Sequence, residues 1–285
     1  NMSNTGIAGL NAVAGCIAPT TTTVQLIDSA GVEDPSRRIY PCFEHRTLPD
    51  VLPPNVTWRY YAPGAGTIWT APDAIQHICQ SSGPGGICQG PLWQNNVDLK
   101  PADVLTDIAN CNLRNLSWII PTGVNSDHAR STDGGGPSWV ASIVNAIGNS
   151  STCDGDTGYW QNTAIILTWD DWGGWYDHVA PTILPYPQGA YQLGFRVPLI
   201  VISAHTPRHY INNYRHDFGS ILRFIEANFS VPEGELNFAD ARADNELQLF
   251  FDYSRAPRPF QTIGAPLTGS FFINDKRPLT DPDDQ

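Results

Sequence analysis

The stretch that most constrains this chain is Ala164-Ile-Ile-Leu-Thr-Trp-Asp-Asp-Trp-Gly-Gly-Trp-Tyr-Asp-His178. Its first residues form an apolar, β-branched run of the kind that reads as a buried parallel strand. The run ends in two adjacent acids, Asp170 and Asp171, followed by Gly173-Gly174 and Asp177-His178. A strand that delivers acids to its carboxyl end, where glycines let the backbone turn, is how an open α/β sheet builds a site. Side chains alternate along a strand, so neighbouring carboxylates diverge and can serve different partners. Aspartate and histidine suit hard or borderline divalent metals. The same residues also make an ordinary turn, with carboxylates capping free amides. Three tryptophans in seven residues, Trp169, Trp172 and Trp175, offer a third reading, a sugar-stacking platform with paired acids. Adjacent acids are poorly placed to face each other across a sugar, which weighs against a glycosidase.

The remainder reads as strand and helix in alternation. Residues 56–61 and 116–121 have strand character, the second predicted as buried, and Val197 to Ser203 follows as a third such strand after a proline-rich loop. Pro137 to Ile147 is the clearest amphipathic helix, with Trp139, Ile143 and Ile147 four residues apart. Thr47 is placed to N-cap a short helix that has Pro49 and Asp50 in its first turn, and Asp217 to N-cap the helix from Phe218 to Asn228. This grammar predicts an α/β fold, a mostly parallel sheet sandwiched by helices. One domain over residues 1–258 is expected, with a Gly- and Pro-rich loop lobe at about 79–100 and an extended tail over 259–285.

Composition narrows the function. Acids outnumber bases 28 to 16, a formal charge of −12, which argues against nucleic-acid partners. No apolar run approaches the roughly 18 residues of a membrane span. Six cysteines, an even number without a C-x-x-C pair, suit disulfides in a secreted or periplasmic protein, and Cys79 and Cys88 bracket a loop that one bridge could close. Asn-x-Ser/Thr occurs at Asn55, Asn115, Asn149 and Asn228, a pattern with a high chance rate.

Thr168-Trp-Asp-Asp-Trp-Gly-Gly-Trp-Tyr-Asp-His-Val179 resembles the signature T-[YW]-D-[ED]-x-G-G-[FW]-[FY]-D-H-V of the bacterial phosphoesterase family, which includes non-haemolytic phospholipases C and acid phosphatases. Gly194-Phe-Arg-Val-Pro-Leu-Ile-Val-Ile-Ser203 is similar to the family's next strand, and Phe218-Gly-Ser-Ile-Leu-Arg-Phe-Ile-Glu226 to the helix after it. Upstream, Thr47-Leu-Pro-Asp-Val-Leu and Trp58-Arg-Tyr-Tyr61 resemble a fourth block. The resemblance implies an alkaline-phosphatase-like fold and metal-dependent hydrolysis of phosphate esters, with phospholipid head groups or phosphomonoesters as substrates. It implies that Asp170 and Asp171 bind a divalent metal ion, the second being Asp where many relatives carry Glu.

Asp127 and His128, just past the strand at 116–121, match an acid–histidine pair of the family and are candidate catalytic residues, as is His178. Trp172, Asp177 and Arg130 are candidate substrate-binding residues. Arg196 is expected to anchor a strand start, and His205, His209 and His216 to be solvated. The family's E-N-R-S-F-D block and its nucleophile segment have no counterpart here, and Ser3 and Thr20 to Thr23 carry no mark of activation. The expectation is therefore an incomplete phosphoesterase site, the alternative a catalytically inactive lobe that binds carbohydrate or lipid.

Overall fold

A computed structural model describes residues 13–27, 33–129, 135–155, 157–186, 189–243 and 247–282. Strands β1 (Val24–Ile27) and β2 (Glu33–Ile39) form an antiparallel ribbon, followed by helix α1 (Leu48–Val51). As expected for Thr47 at an N-cap, its amide and hydroxyl both donate to the Asp50 carboxylate at 2.6 Å. Strand β3 (Trp58–Tyr61) then leads to helices α2 (Gln76–Cys79) and α3 (Pro91–Asn96), strand β4 (Val97–Asp98), helix α4 (Asp103–Ala109) and strand β5 (Leu116–Ile119). These strands make a parallel sheet in the order β4-β3-β5, with Trp58 beside Leu116 and Tyr61 beside Ile119. The region read as a loop lobe thus contributes a helix and an edge strand, and Cys79–Cys88 closes the turn between α2 and α3.

Period-two alternation in β3 builds a core on each face of this sheet. Trp58 and Tyr60 pack with Trp118, Ile75, Ile78 and Trp93 on the side of α2 and α3. Arg59 and Tyr61 point the other way, and both donate to Asp107 Oδ2 of α4, at 2.7 and 2.5 Å. Burial pushes the Tyr61 phenol up, and its bond to Asp107 pushes the same way. The second core joins Tyr61, Val104, Leu105 and Ile108 to Trp139, Ile143 and Ile147 of helix α5 (Gly135–Gly148), the amphipathic stripe legible in the sequence. Bridges Cys16–Cys42 and Cys111–Cys153 join Cys79–Cys88, so all six cysteines are paired.

The acid-bearing run forms β6 (Ile165–Thr168), and here the structure departs from expectation. After it come an antiparallel hairpin, β7 (Ile183–Tyr186) and β8 (Gly189–Gln192), where a proline-rich loop was expected, and then β9 (Leu199–Ile202). Strand β6 pairs antiparallel with β9, Ile165 beside Ile202 and Thr168 beside Leu199, and all four of its residues are half-buried. Strand β5 is half-buried too. Apolar, β-branched sequence specifies a strand but not its partner or direction, and the connection through β7 and β8 returns the chain antiparallel without a crossover helix. Among the described strands, the parallel sheet is three strands wide.

Helix α6 (Phe218–Asn228) is capped as read: the Asp217 carboxylate accepts from Ser220 N at 3.1 Å. Helix α7 (Phe238–Ala241) packs on α6 and brings Asp240 against Glu226, both side chains buried. Helix α8 (Gly269–Ile273) lies in residues 259–285 and places Phe272 in the core against Trp139, ring centroids 5.2 Å apart.

Burial, then the Asp240 carboxyl, pushes Glu226 up to about 7, and burial pushes Asp73 up to about 8. A carboxyl whose folded pKa is raised binds more protons folded than unfolded, so its stabilisation is full below about pH 4 and lost as pH rises through the folded value. Thermal melting should therefore give a lower Tm at pH 8.5 than at pH 5, and Glu226→Gln should flatten the dependence by on the order of 2 kcal/mol. A wild-type Tm independent of pH over that range would contradict it.

Candidate active site

Two loops leave the carboxyl ends of strands β5 and β6 and meet. Residues 122–129 follow β5 as a 3-10 turn, Gly123–Asn125, with Thr122 and Asn125 buried. Asn125 Nδ2 donates to Thr122 Oγ1 at 3.1 Å, and the His128 amide donates to Ser126 Oγ at 3.1 Å. Asp127 sits at φ +58°, in the left-handed region that aspartate tolerates better than most residues. Its side chain is exposed, while His128 is half-buried.

The second loop is the acid turn. Asp171 Oδ1 accepts from Gly173 N at 2.6 Å, and Trp175 N donates to Trp172 O at 3.0 Å. Gly173 and Gly174 hold φ of +60° and +76°, which only glycine adopts without strain. A Cβ on Gly173 would stand 3.0 Å from the Ala129 side chain, so the acid turn rests directly against the loop that carries His128. The loops that carry Asp127 and His128 and Asp170 and Asp171 therefore touch, although β5 and β6 stand in separate sheets rather than in the one parallel sheet expected. Asp170 and Asp171 are exposed, and Asp171 spends one oxygen on its own turn.

Asp177 is committed elsewhere. Arg196 Nε and Nη2 donate to its two oxygens at 2.6 and 2.8 Å, and the amides of Val179 and Arg196 add further bonds. The fork from Arg196 holds the Asp177 carboxyl well below the usual carboxylate range. The pair ties the end of the acid turn to the approach of β9, so Arg196 anchors a strand as expected and Asp177 is its counterpart. His178 projects outward with its side chain 84% exposed. Arg130 lies outside the described residues.

Trp172 and Tyr176 pack on Phe195, centroids 5.0 and 5.8 Å away, while Trp175 and Tyr176 remain 65% and 82% exposed. Phe195 was not singled out in the sequence, although it sits inside the block shared with phosphoesterases. His205 lies away from the acid turn, its Nε2 3.2 Å from Gln161 O, and His216 lines a small cavity with Leu184, Leu193, Arg215 and Arg242. Neither joins the rim.

Two adjacent carboxylates repel a phosphate group unless a cation lies between them. A hard divalent ion takes about six oxygen donors, and no group of three His, Cys, Asp or Glu placed to hold a metal occurs among the described residues. The described donors thus fall short of a complete metal centre, and a divalent ion held by Asp170 and Asp171 would need further oxygen or nitrogen ligands beyond them.

The acid turn after β6 and the histidine loop after β5 touch through Gly173 and Ala129 although their strands belong to separate sheets, and the comparisons with known proteins add a family. Residues 2–232 match the Phosphoesterase family, and the chain belongs to that family. Over 275 residues it is 25% identical to phospholipase C A of Mycobacterium tuberculosis, a match covering 86% of this chain and 52% of that protein. It is 25% identical over 211 residues to non-hemolytic phospholipase C of Pseudomonas aeruginosa, covering 64% of this chain and 29% of the relative. It is 30% identical over 151 residues to non-hemolytic phospholipase C of Burkholderia pseudomallei, covering 45% and 21%. The chain spans about half the length, or less, of these relatives.

Gly173→Ala should force the acid turn off the Ala129 loop, because it adds a left-handed penalty of roughly 1 kcal/mol to a tight contact. Tm should fall by a few degrees, and near-ultraviolet circular dichroism from the surrounding tryptophans should change. Gly264→Ala, where a Cβ meets open space, should leave both unaltered.

Proposed function

We propose that this chain hydrolyses phosphate esters at the rim where residues 122–129 meet the acid turn. The observation that supports the reading is the contact of Gly173 with Ala129, which brings the loop of Asp127 and His128 against the turn of Asp170 and Asp171 in a member of the Phosphoesterase family. Relatives named phospholipase C favour a phospholipid head group as substrate, with small phosphomonoesters as the other class. In this reading His128 gives a proton to the departing oxygen, as a general acid, and Asp127 is the acid that accompanies it. Asp170 and Asp171 contribute carboxylates to a divalent cation that needs further ligands. Trp172 flanks the substrate, and His178 stands at the outer edge.

A parallel sheet with helices on both faces supports an alkaline-phosphatase-like arrangement. Three disulfides support a secreted or periplasmic protein. No described helix is long and apolar enough to cross a membrane.

The test is hydrolysis of p-nitrophenyl phosphate and p-nitrophenyl phosphorylcholine with and without added divalent metals and EDTA. Turnover should depend on metal, fall on the order of 100-fold in His128→Ala, and vanish in Asp170→Ala/Asp171→Ala. An absence of wild-type turnover under every metal, with ligand binding that persists in EDTA, would replace the enzyme with a binding lobe.

A further inference from the structure

Residues 258–282 run the length of α5 from its far end to the rim. At the far end, Arg258 N donates to Ala204 O at 2.8 Å, and the Arg258 carbonyl accepts from Trp160 Nε1 at 2.7 Å. The Phe260 ring lies against Gly148, the last residue of α5, so closely that a Cβ there would come within 2.3 Å of it. One turn further in, Asn145 exchanges two 2.8 Å hydrogen bonds with the Ile263 backbone. Nearer the rim, Leu267 N donates to Ser138 Oγ at 3.4 Å and Phe272 buries against Trp139. A 14-residue helix is about 21 Å long, so the strap carries contacts from one end of α5 to the other.

At its rim end the strap grips the histidine loop. Gly123 N donates to Thr280 O at 3.0 Å, and the single Ser126 hydroxyl proton is shared between Gly123 O at 2.9 Å and Pro282 O at 3.1 Å. Arg277 is itself held: its Nε and Nη2 donate to Asp275 Oδ2 at 2.8 and 2.7 Å, and its guanidinium covers the Phe271 ring at 5.4 Å. From that fixed position Nη2 reaches Asn125 Oδ1 at 3.3 Å. Asn125 is buried and spends its amide nitrogen on Thr122, so its other end is set by the strap. Ser126, gripped by Pro282, in turn accepts from the His128 amide.

We infer that residues 258–282 form the positioning element of the His128 loop, with Arg277 the residue through which it acts. The inference rests on the proposed phosphoesterase reading for what the loop does, but not for how the loop is held. A catalytic group displaced by about 1 Å loses on the order of 100-fold in rate, so a loop packed against Gly135, Gly136 and Gly173 gains further accuracy from hydrogen bonds to the strap. Arg277 is a positioning residue because it touches Asn125 and not the reacting atoms.

The test compares wild type, Arg277→Ala and Arg277→Lys by hydrogen–deuterium exchange and by steady-state kinetics on p-nitrophenyl phosphate. In Arg277→Ala, amides of residues 122–129 should exchange about tenfold faster while α5 and β5 keep their protection. Lysine, which keeps the charge without the fork, should restore part of the protection. With substrate, kcat should fall about tenfold and KM stay within twofold, with partial recovery in the lysine variant. Unchanged exchange at 122–129 in both variants would overturn the brace. Faster exchange with unchanged kcat would overturn its catalytic role. An inactive wild type would overturn the phosphoesterase reading and that role with it, while the exchange data still decide whether the strap holds the loop. Should Arg277→Ala lose cooperative melting, Arg277→Lys alone carries the comparison.

Discussion

The candidate rim depends on how closely the first turn of α5 approaches the loop after β5. A Cβ on Gly135 would lie 2.4 Å from the Val124 carbonyl oxygen, and one on Gly136 would lie 2.7 Å from the Asp127 side chain. No larger residue fits either place without moving the loop. Two glycines in a helix cost roughly 1 kcal/mol each relative to alanine, and the remainder of α5 offsets that through its buried stripe of Trp139, Ile143 and Ile147. Close approach at one end of the helix therefore relies on apolar packing along the rest. Phe272 completes the same stripe from the strap. The rim's shape and the domain's second core are aspects of one packing arrangement.

Much of this was legible in residues whose local chemistry is decisive. Thr47 and Asp217 announced their caps, the spacing of Trp139, Ile143 and Ile147 announced α5, and Gly173-Gly174 after Asp170-Asp171 announced a turn at a strand end. In each instance the deciding interaction lies within a few residues of sequence. The pairing of β6 with β9 was hidden because an apolar run states only that a strand exists. The hairpin of β7 and β8 was hidden because Pro181, Pro185 and Pro187 dominate the composition there, and edge strands tolerate proline.

Within the site, legibility divides along the same line. The position of Asp127, His128 and the acid pair just past strand ends followed from strand–loop alternation. That Asp177 is spoken for by Arg196, 19 residues on, did not, because a carboxylate reads alike in sequence whether it awaits a ligand or already holds a guanidinium. The grip of Thr280 and Pro282 on Gly123 and Ser126 spans more than 150 residues and passes through backbone carbonyls, which every residue type supplies. No side-chain pattern can announce such contacts.

The bridge Cys111–Cys153 has a consequence for how the two lips of the rim differ. It closes a ring, spanning 42 residues in sequence, that contains β5, the His128 loop and the whole of α5. The acid turn lies outside that ring and is held by hydrogen bonds, ring packing and the Asp177–Arg196 pair. One jaw is therefore covalently framed and the other is not. Reduction of that bridge would free the histidine-bearing lip from its ring and leave every contact that holds the acid-bearing lip in place.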